Sequence, residues 1–552
     1  MKKLINIIPL LFAAASMTGC NDWLDMSPTD KVSDKIVWSE EAYIKQYVNG
    51  FYPYISRYGA FETGDSAVGN TEGLTETLKY GTMTAGTNVG FPNTIAYAEG
   101  GLSAATAAFH FSTWSTTYER IRRVNEFLSG LAQYGSWLDE ASYNRYRAEA
   151  RFFRGYLYWQ MMKRTDQIIL YDEDLLAITP NKPLSTAEEG WNMVEQDLTY
   201  AAQTLPASWS GTEQGRVTSG AAWALLSRAM LYAERWQSAK NAAEEVLKLN
   251  YELMPGTTAD NYKKAFLSAR EGNTESVLEY NYLVGGPNHG YDKVFMPKVE
   301  GSPYGAAATP TQELVESYEL ATGGYPDWTP WHTAEGTTAM PPYANLEPRF
   351  HASVLYDGAT WKNRTIQPYV GGFDGWFQFN SEPDVQQRTT TGYLLRKMLN
   401  ENYDVNFQST QTWVAIRLAE VILNHAEAAY RLNDVTAANS DVRRIRARVG
   451  LPYTDKSGEE LFAAIRQERK LELFMEGHLW WDMRRWRLAH TAYTGIRVHG
   501  LKITNEGGGV HRYQYVECDT RDRLFEQKLY RIPLPEDELS SNASVSQFPE
   551  WL

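Results

Sequence analysis

Apolar side chains recur every three to four residues in two separate blocks of this chain, and this spacing constrains the fold more than any other feature of the sequence. Such a period places the apolar residues on one face of an α-helix, where they can pack against another helix. The predicted helices are 39–50, 114–128, 143–162, 191–205, 219–233, 236–249, 413–431, 436–449 and 459–486. The chain is therefore predicted to be mainly α-helical.

Two adjacent pairs of these helices, 219–249 and 413–449, resemble tetratricopeptide hairpins, in which two antiparallel helices form a unit of about 34 residues. In the first pair, Ala239 provides a small side chain where the second helix passes close to the first. Because the two pairs are far apart in the sequence, we expect helix pairs within a single large body and not a continuous solenoid.

Outside the helical blocks, the regular spacing fades. Gly and Pro are frequent in 255–410, which predicts long irregular insertions with loops and short strands carried by the helical body. Residues 60–110 are rich in Gly, Thr and Asn and predict a long loop, and the tail 505–552 is expected to be irregular. The predicted organisation is a leader at 1–19, an N-terminal helical region at 20–255, and a C-terminal region at 256–552 with a loop-rich insertion at 283–410.

The N-terminus has the features of a bacterial export signal that ends in a cysteine. Lys2 and Lys3 precede an apolar run at 4–15, and Ser-Met-Thr-Gly at 16–19 then leads to Cys20. The run is shorter than the ~20 apolar residues that span a bilayer. A cysteine at this point is similar to the lipobox of bacterial lipoproteins, in which Cys20 would be acylated and become the mature N-terminus. The alternative is an ordinary secretory signal with a coincidental cysteine.

Composition excludes several classes of function. The 552 residues carry a net charge of −14 without a long basic run, so nucleic acid is not an expected partner. The chain has two cysteines, and Cys518 is the only thiol left once Cys20 is acylated. An intramolecular disulfide and a cysteine-based zinc site are then excluded. Aromatic residues make up 13% of the chain, which is enough for both a core and a binding surface.

Short motifs spread over nearly the whole chain occur in an order that is specific as a set. They lie at 118–125, 148–155, 416–423, 426–428, 465–477, 478–486, 532–539 and 547–551. Together with the Cys20 leader, these motifs resemble the SusD/RagB family of surface lipoproteins of Bacteroidetes-type bacteria. His478, where the family usually has Arg, and Phe548, where Asn is common, depart from the family pattern.

The resemblance implies an outer-membrane lipoprotein that is anchored through lipid on Cys20 and faces the cell exterior. Members of this family cap a SusC-type TonB-dependent outer-membrane barrel and help to capture an oligomeric nutrient, usually a glycan, without cleaving it. The expected partners are therefore a glycan, the barrel and the membrane, with no cofactor. Asp22 and Asp25 are similar to the surface-export signals of such lipoproteins.

A glycan site needs flat apolar faces for the C–H surfaces of sugars and polar groups for their hydroxyls, and Tyr and Trp side chains supply both. The family resemblance places such a site in the two loop-rich regions. The predicted glycan-binding residues are Trp328, Trp331, Tyr304, Phe91, Tyr97 and Asn93. Each aromatic residue among them could instead be a packing residue. Trp361 and Trp376 could instead pair strands or face the transporter.

Three glutamates, Glu468, Glu472 and Glu476, are spaced by four and share one face of the predicted helix 459–486. A glycosidase needs two carboxylates about 5–10 Å apart across a cleft, and adjacent helical turns come close to that separation. Because basic residues surround the glutamates, we expect an ion-pair network instead. The basic residues are Arg466, Arg469, Lys470, Arg484 and Arg485.

Signals for a metal or cofactor are weak. The sequence has no His-Glu-x-x-His, P-loop or dinucleotide-binding motif. Asp172, Glu173 and Asp174 could form an oxygen cluster for a structural calcium ion, but a solvated acidic turn is the favoured interpretation.

Three other classes of function stay open. The same scaffold could serve a peptide- or protein-binding uptake component, which would differ only in its ligand. A surface glycosidase would release products from a polysaccharide, and a plain adaptor would bind only another protein.

Overall fold

The computed structural model describes residues 34–58, 71–80, 95–97, 101–175, 181–297, 305–375, 389–402, 409–519 and 521–552. The predicted lipidation site Cys20, and the neighbouring Asp22 and Asp25, lie outside these residues. No helix within them combines the length and the apolar character needed to cross a bilayer.

Regular structure in the described residues is predominantly helical, which confirms the predicted fold class. The main helices are α1 (Glu41–Asn49), α2 (Ala104–Phe111), α3 (Trp114–Tyr134), α4 (Glu140–Thr165), α5 (Ala187–Thr204), α6 (Ser219–Tyr232), α7 (Trp236–Leu247), α8 (Ala259–Leu267), α9 (Gln312–Glu316), α10 (Leu418–Arg431), α11 (Val435–Arg448), α12 (Gly458–Glu472) and α13 (Leu479–Arg485). Shorter helices lie at Asp34–Val37, Pro53–Ser56, Tyr291–Phe295, Pro348–Ser353, Ala489–Ala492 and Glu536–Ser541. Local sequence sets several boundaries; Thr186 and Glu189, for example, form a capping box at the start of α5.

The long helices form one continuous row in which each packs against the next. Their order in the row is α3, α4, α5, α6, α7, α10, α11 and α12. Across the junction of α7 with α10 and α11, Lys240 lies 3.6 Å from Asp434, and Glu244 lies 3.6 Å from His425. The expectation that the helix pairs do not form a continuous solenoid is therefore wrong, because the second helical block continues the first in space.

The position of α6 inside this row explains its composition. This helix lies between α5 and α7 and also contacts α10, so most of its side chains are buried. One large hydrophobic cluster runs from the row into the loop-rich region, and a smaller cluster surrounds Trp480 and Trp481 of α13.

Short strands in the described residues form five antiparallel pairs. The pairs are β1 (Leu78–Tyr80) with β3 (Ala308–Pro310), β2 (Ser276–Tyr280) with β8 (Trp413–Arg417), β4 (Val354–Leu355) with β7 (Leu394–Leu395), β5 (Thr360–Trp361) with β6 (Arg364–Thr365), and β9 (His499–Gly507) with β10 (Val510–Glu517). The β2–β8 pair attaches the loop-rich region to the start of α10, so the insertions are carried by the helical body as predicted.

The β9–β10 hairpin shows that the expectation of an irregular tail from residue 505 onward is wrong as far as residue 517. Gly508 and Gly509 connect the two strands with φ angles of 61° and 80°. L-residues rarely adopt these angles, so the glycine run permits the turn. A glycine run flanked by strand-forming residues is itself a hairpin signal in the sequence.

Two predicted helices have different bounds in the structure. The segment predicted as a helix from residue 413 begins as strand β8 and becomes helical only at Leu418. The segment predicted as one helix at 459–486 is broken between α12 and α13, where Met475 and Gly477 have φ angles of 64° and 79°. Positive φ angles are incompatible with a continuing right-handed helix.

Side chains from other segments stabilise this break. The main-chain carbonyl of Glu472, the last residue of α12, accepts hydrogen bonds from Tyr262 at 3.1 Å, Lys397 at 2.8 Å and Arg417 at 2.6 Å. The carbonyls at a helix C-terminus have no partner within the helix and carry partial negative charge. Two buried cations and a hydroxyl therefore take the place of the next helical turn.

A buried ion-pair network connects α12 to the rest of the body. Glu468, Glu472 and Glu476 supply carboxylates to it, which confirms the predicted ion-pair role. Their basic partners are Arg349, Lys397, Arg417, Arg446 and Arg448, not the predicted ones. These five residues come from other segments and meet the buried face of α12.

The basic residues that were expected to pair with these three glutamates have other partners. The observed pairs are Arg466 with Glu459, Arg469 with Asp482, Lys470 with Glu76, and Arg485 with Glu427 and Asp482. Arg484 donates its hydrogen bonds to main-chain carbonyls. Proximity in sequence therefore predicted the presence of a network but not its pairing.

Candidate functional site

The two loop-rich regions that the sequence singled out meet at the β1–β3 pair. Tyr80, the last described residue before segment 81–94, lies opposite Ala308 in this antiparallel pair. Segment 298–304 ends shortly before β3 begins. Both segments therefore connect to the same end of one small sheet. Of the predicted site residues, Phe91, Asn93 and Tyr304 lie in these two segments, outside the described residues. Trp376 also lies outside the described residues, in segment 376–388.

Tyr97 is described, and it is a packing residue with 7% of its surface exposed. Its hydroxyl donates to Asp519 at 2.7 Å and accepts from the Lys79 ammonium at 2.8 Å. Burial lowers the pKa of Lys79 to about 8, and the nearby Asp519 carboxylate opposes this effect. Because the Arg521 guanidinium lies 5.5 Å from the ring centre, the ring of Tyr97 is not an open stacking surface.

Trp328 is also a packing residue, with 5% of its surface exposed. Its ring packs edge-on against Trp331 at 5.7 Å and lies 6.4 Å from the ring of Tyr343. Trp328 and Tyr97 are therefore packing residues, which was the alternative to glycan binding for each aromatic residue. Trp361 lies in β5 and is completely buried, in agreement with a strand-pairing role.

Trp331 differs from these residues because it is half-buried and stands beside a row of rings at the surface. The ring of Tyr515 lies 4.5 Å from that of His332 and 4.5 Å from that of His499. Together, Trp331, His332, His499, Tyr515 and the carboxylates of Glu313 and Glu316 form the Trp331 face. His332 is exposed and the other members are half-buried.

Strand β10 and the loop that carries Trp331 are joined through the main chain. The N–H of Thr337 donates to the carbonyl of Tyr513 at 3.1 Å, and the N–H of Tyr513 donates to that of Thr337 at 2.8 Å. The indole N–H of Trp331 donates to the carbonyl of Ala339 at 2.9 Å. The orientation of the indole is therefore fixed while part of its surface stays open.

Helix α9 holds the two histidines of the Trp331 face. Glu316 lies 2.6 Å from Nε2 of His332. Glu313 lies 2.7 Å from Nδ1 of His499 and accepts from its main-chain N–H at 3.0 Å. Because α9 directly follows β3, the Trp331 face is connected to the sheet where the two loop-rich segments meet.

The His499–Glu313 contact predicts a pH dependence of stability. The hydrogen bond to Glu313 raises the pKa of His499 above its ordinary 6.5, although burial acts in the opposite direction. A raised histidine pKa contributes stability that is fully present below pH 6.5 and is lost as the pH rises through the folded-state pKa. We expect His499→Gln to remove this contribution, which is about 1 kcal/mol or less.

Urea denaturation of both proteins at several pH values between about 5.5 and about 9 measures this contribution. The free energy of unfolding of wild type relative to the variant should fall as the pH rises. A difference that is constant over this interval would contradict the assignment.

A wide groove of about 690 Å³ lies next to the same loop-rich region. Its lining includes Tyr325, which has 55% of its surface exposed, and Tyr453. Arg446 also lines the groove and donates hydrogen bonds at 2.7 Å to both Glu319 and Glu468. Exposed tyrosine rings beside fixed polar groups are also suited to bind sugars.

The carboxylate of Glu472 is suited to an ion-pair role and not to that of a catalytic acid. Burial alone would raise the pKa of Glu472, but Arg448, Arg417 and Arg349 hold it well below its ordinary value. A glycosidase acid requires the opposite shift.

In the acidic turn at 172–174, Glu173 forms an ion pair with Arg154. The carboxylate of Glu173 accepts a hydrogen bond from the guanidinium of Arg154 at 2.5 Å. Within the described ranges, no group of three or more His, Cys, Asp or Glu side chains has an arrangement that could hold a metal ion.

Several residues of the Trp331 face and of the groove beside Tyr325 were not predicted from the sequence. They are His332, His499, Tyr515, Glu313, Glu316, Tyr325 and Tyr453. The alternation of His511, Tyr513 and Tyr515 at every second position is a strand signal that could have identified Tyr515. The others are brought together by contacts between distant segments.

In a comparison with known proteins, each half of the chain matches a family model. Residues 268–551 match the model of the SusD family, and residues 22–231 match a model described as starch-binding associating with outer membrane. A SusD-like protein of Formosa agariphila is 24% identical over 567 residues, which cover 99% of each chain.

Solved structures share the whole architecture. A SusD-like protein of Bacteroides fragilis is 27% identical, with a TM-score of 0.80 over 95% of this chain and 99% of the other. A SusD-like carbohydrate-binding protein of the same species has a TM-score of 0.75 at 22% identity, over 92% of this chain and 99% of the other. The sequence match over more than half of the chain and the shared fold lead to one conclusion: the chain belongs to the SusD family.

Proposed function

We propose that this protein binds an extracellular oligosaccharide or polysaccharide and delivers it, uncleaved, to a partner SusC-type TonB-dependent outer-membrane barrel. Membership of the SusD family and the carbohydrate-binding Bacteroides fragilis neighbour support this proposal. The observation that carries it is the Trp331 face, where partly exposed rings stand beside polar groups.

The proposed binding mechanism is stacking combined with hydrogen bonding to hydroxyls. The open part of the Trp331 ring and the ring of Tyr515 supply apolar surfaces for the C–H faces of sugar rings. His332, which is exposed, and the carboxylate of Glu316 supply a donor and an acceptor at the edge of these rings. Phe91, Asn93 and Tyr304 remain proposed contributors, since their segments connect to the adjacent sheet.

We also propose that Cys20 carries the lipid anchor and that the protein sits on the outer membrane facing the exterior. The leader sequence and the family description of association with the outer membrane support this location. Incorporation of labelled palmitate at Cys20 tests the anchor, and co-purification of a barrel from solubilised outer membranes tests the partner.

Trp331→Ala is expected to weaken glycan binding about tenfold, because a partly exposed stacking surface is lost. The measurement is calorimetric titration of residues 21–552 with plant, host and microbial polysaccharides. Thermal unfolding should change little. Trp137→Ala is the matched control, since Trp137 is 50% exposed and lies outside the Trp331 face.

Tyr325→Ala in the same titration separates the two candidate surfaces. If Trp331→Ala binds as well as wild type and Tyr325→Ala binds more weakly, the groove is the binding site and the Trp331 face is not. Binding of peptides with no response to any polysaccharide would favour the alternative of a peptide-uptake component.

A further inference from the structure

Lys163, Arg164 and Arg484 form a cluster of cations with no carboxylate at salt-bridge distance among the described residues. Of the nine buried arginines in the described residues, seven form salt bridges with carboxylates. Arg164 and Arg484 are the two without a carboxylate at salt-bridge distance in that part of the chain. Both belong to this one cluster.

The three cations surround a single buried indole. The ammonium of Lys163 and the guanidinium groups of Arg164 and Arg484 lie 4.5, 5.0 and 4.8 Å from the ring centre of Trp481. Lys163 also lies 4.5 Å from the ring of Trp159. Cation–π contacts stabilise such charges only in part when they are removed from water.

The two arginines and Lys163 differ in their hydrogen bonds. Each of the three nitrogens of Arg484 donates to a main-chain carbonyl, those of Leu529, Lys163 and Tyr530, although its charge is not balanced by a salt bridge. Arg164 likewise donates to the carbonyls of Phe111 and Gln160 and to the side chain of Gln160. The Lys163 ammonium has three donors and no acceptor among the described side chains.

Lys163 and Arg484 reach a cavity of about 400 Å³ between the ends of α4, α6 and α13 and the start of α5. Trp481 and Tyr530 line it, and Trp191 stands near its edge. The other charged groups of the lining are Asp166, Glu188, Glu234, Arg235, Arg485 and Arg487. Arg235 and Arg485 already pair with carboxylates outside the cavity. Glu188 and Glu234 are exposed to solvent, which weakens their electrostatic effect on Lys163 and Arg484.

Three of the helices around this cavity end in left-handed residues. Asp166, Glu234 and Arg487 follow the C-terminal ends of α4, α6 and α13, and their φ angles are 60°, 55° and 60°. A left-handed residue is a common way to end a helix. These caps fix the helix ends that line the cavity.

Burial and the neighbouring positive charges lower the pKa values of these groups. Burial, followed by the neighbouring Arg164, Arg228 and Arg484, holds the pKa of Lys163 well below its ordinary value. Burial lowers the pKa of Arg484 to about 9, and Asp166 opposes this only in part. An anion in the cavity would offset this excess of positive charge.

We propose that this cavity is an anion-binding site that takes a carboxylate or sulfate group of a ligand, with the Lys163 ammonium as the direct donor and Arg484 as a supporting charge. The site uses other helices than the Trp331 face and does not depend on the function proposed for that face.

The test is calorimetric titration of residues 21–552 with sodium sulfate, sodium glucuronate and glucose at constant ionic strength. We expect sulfate or glucuronate to bind and glucose to give no signal from this cavity. The anion that binds more tightly shows whether the site favours a sulfate or a carboxylate. Lys163→Met should weaken that binding by about tenfold or more, because a charge-assisted hydrogen bond is lost.

Lys248→Met is the matched control, since Lys248 is an exposed lysine that lies outside the cavity. It should bind the anion as wild type does. The unliganded Lys163→Met protein should be at least as heat-stable as wild type, because an unbalanced charge has been removed; a purely structural lysine would predict a loss. Failure of both anions to bind wild type, or equal binding by Lys163→Met, would overturn the proposal. Trp331→Ala should leave anion binding unchanged.

Discussion

Arg417→Met is expected to lower the free energy of unfolding by about 3–5 kcal/mol, since removal of one partner from a buried ion pair leaves the others uncompensated. Arg417 is fully buried and pairs with Glu275 at 2.8 Å, Glu472 at 2.6 Å and Glu476 at 2.7 Å. It also caps the carbonyl end of α12. The substitution therefore affects the network and the helix end together. Urea denaturation monitored by circular dichroism measures the loss.

The pH dependence of this loss provides a second readout. Burial would raise the pKa values of Glu472 and Glu476, but the arginines keep both below the ordinary 4.5. Their ionised forms therefore stabilise the fold above pH 4.5, and this contribution is lost as the pH falls through the folded-state pKa values. The difference between wild type and Arg417→Met should be largest near neutral pH and shrink in acid.

Arg497→Gln is the control for Arg417→Met. Arg497 pairs with Glu517 and Asp522 at the surface, where solvent screens the charges, so this change should have little effect. Equal losses in the two variants would contradict the view that burial makes the Arg417 network important.

Trp361→Ala is expected to reduce the free energy of unfolding by about 3–5 kcal/mol, the range for truncation of a large buried aromatic residue. Trp361 has no exposed surface and lies in β5, next to a turn in which Lys362 and Asn363 have φ angles of 46° and 62°. The tight turn leaves the backbone little room to close the cavity. Chemical denaturation measures this change, and glycan affinity measured under native conditions should stay close to that of wild type.

Trp361→Phe and Trp331→Ala are the matched controls. The indole nitrogen of Trp361 has no hydrogen-bond partner among the described residues, so Trp361→Phe keeps most of the packing and breaks no such bond. It should lose much less stability than Trp361→Ala. Trp331→Ala should show the reverse pattern, with weaker binding and little loss of stability. A strong loss of binding in folded Trp361→Ala would instead point to a role in the site.

The helices could be predicted from sequence because each depends on local spacing. The eight helices of the row coincide with predicted ones, and their ends differ by a few residues except where β8 and the break after Glu472 intervene. The first exception depends on the pairing of β8 with the remote strand β2, and the second on contacts of the Glu472 carbonyl with Tyr262 and Arg417. No pattern within segment 459–486 records these contacts.

The candidate site could be predicted only in part for the same reason. Trp328 and Trp331 are three residues apart in a similar sequence context, yet Trp328 is enclosed by Tyr343 while Trp331 lies beside the β9–β10 hairpin. His499 and Tyr515 reach the site only because the hairpin folds onto α9 and the loop that carries Trp331. Composition identified the region, but exposure depends on the tertiary fold.

The helix row has a consequence for how the chain folds during synthesis. The small side chains Ala239, Ala242 and Ala243 of α7 are buried, and the next helix in the row is α10, which is made only after the whole loop-rich region. A partly synthesised chain therefore leaves the flank of α7 that packs against α10 uncovered until residue 431 has been made. Transiently exposed apolar surface of this kind promotes aggregation, and the row is complete only once both halves of the chain are present.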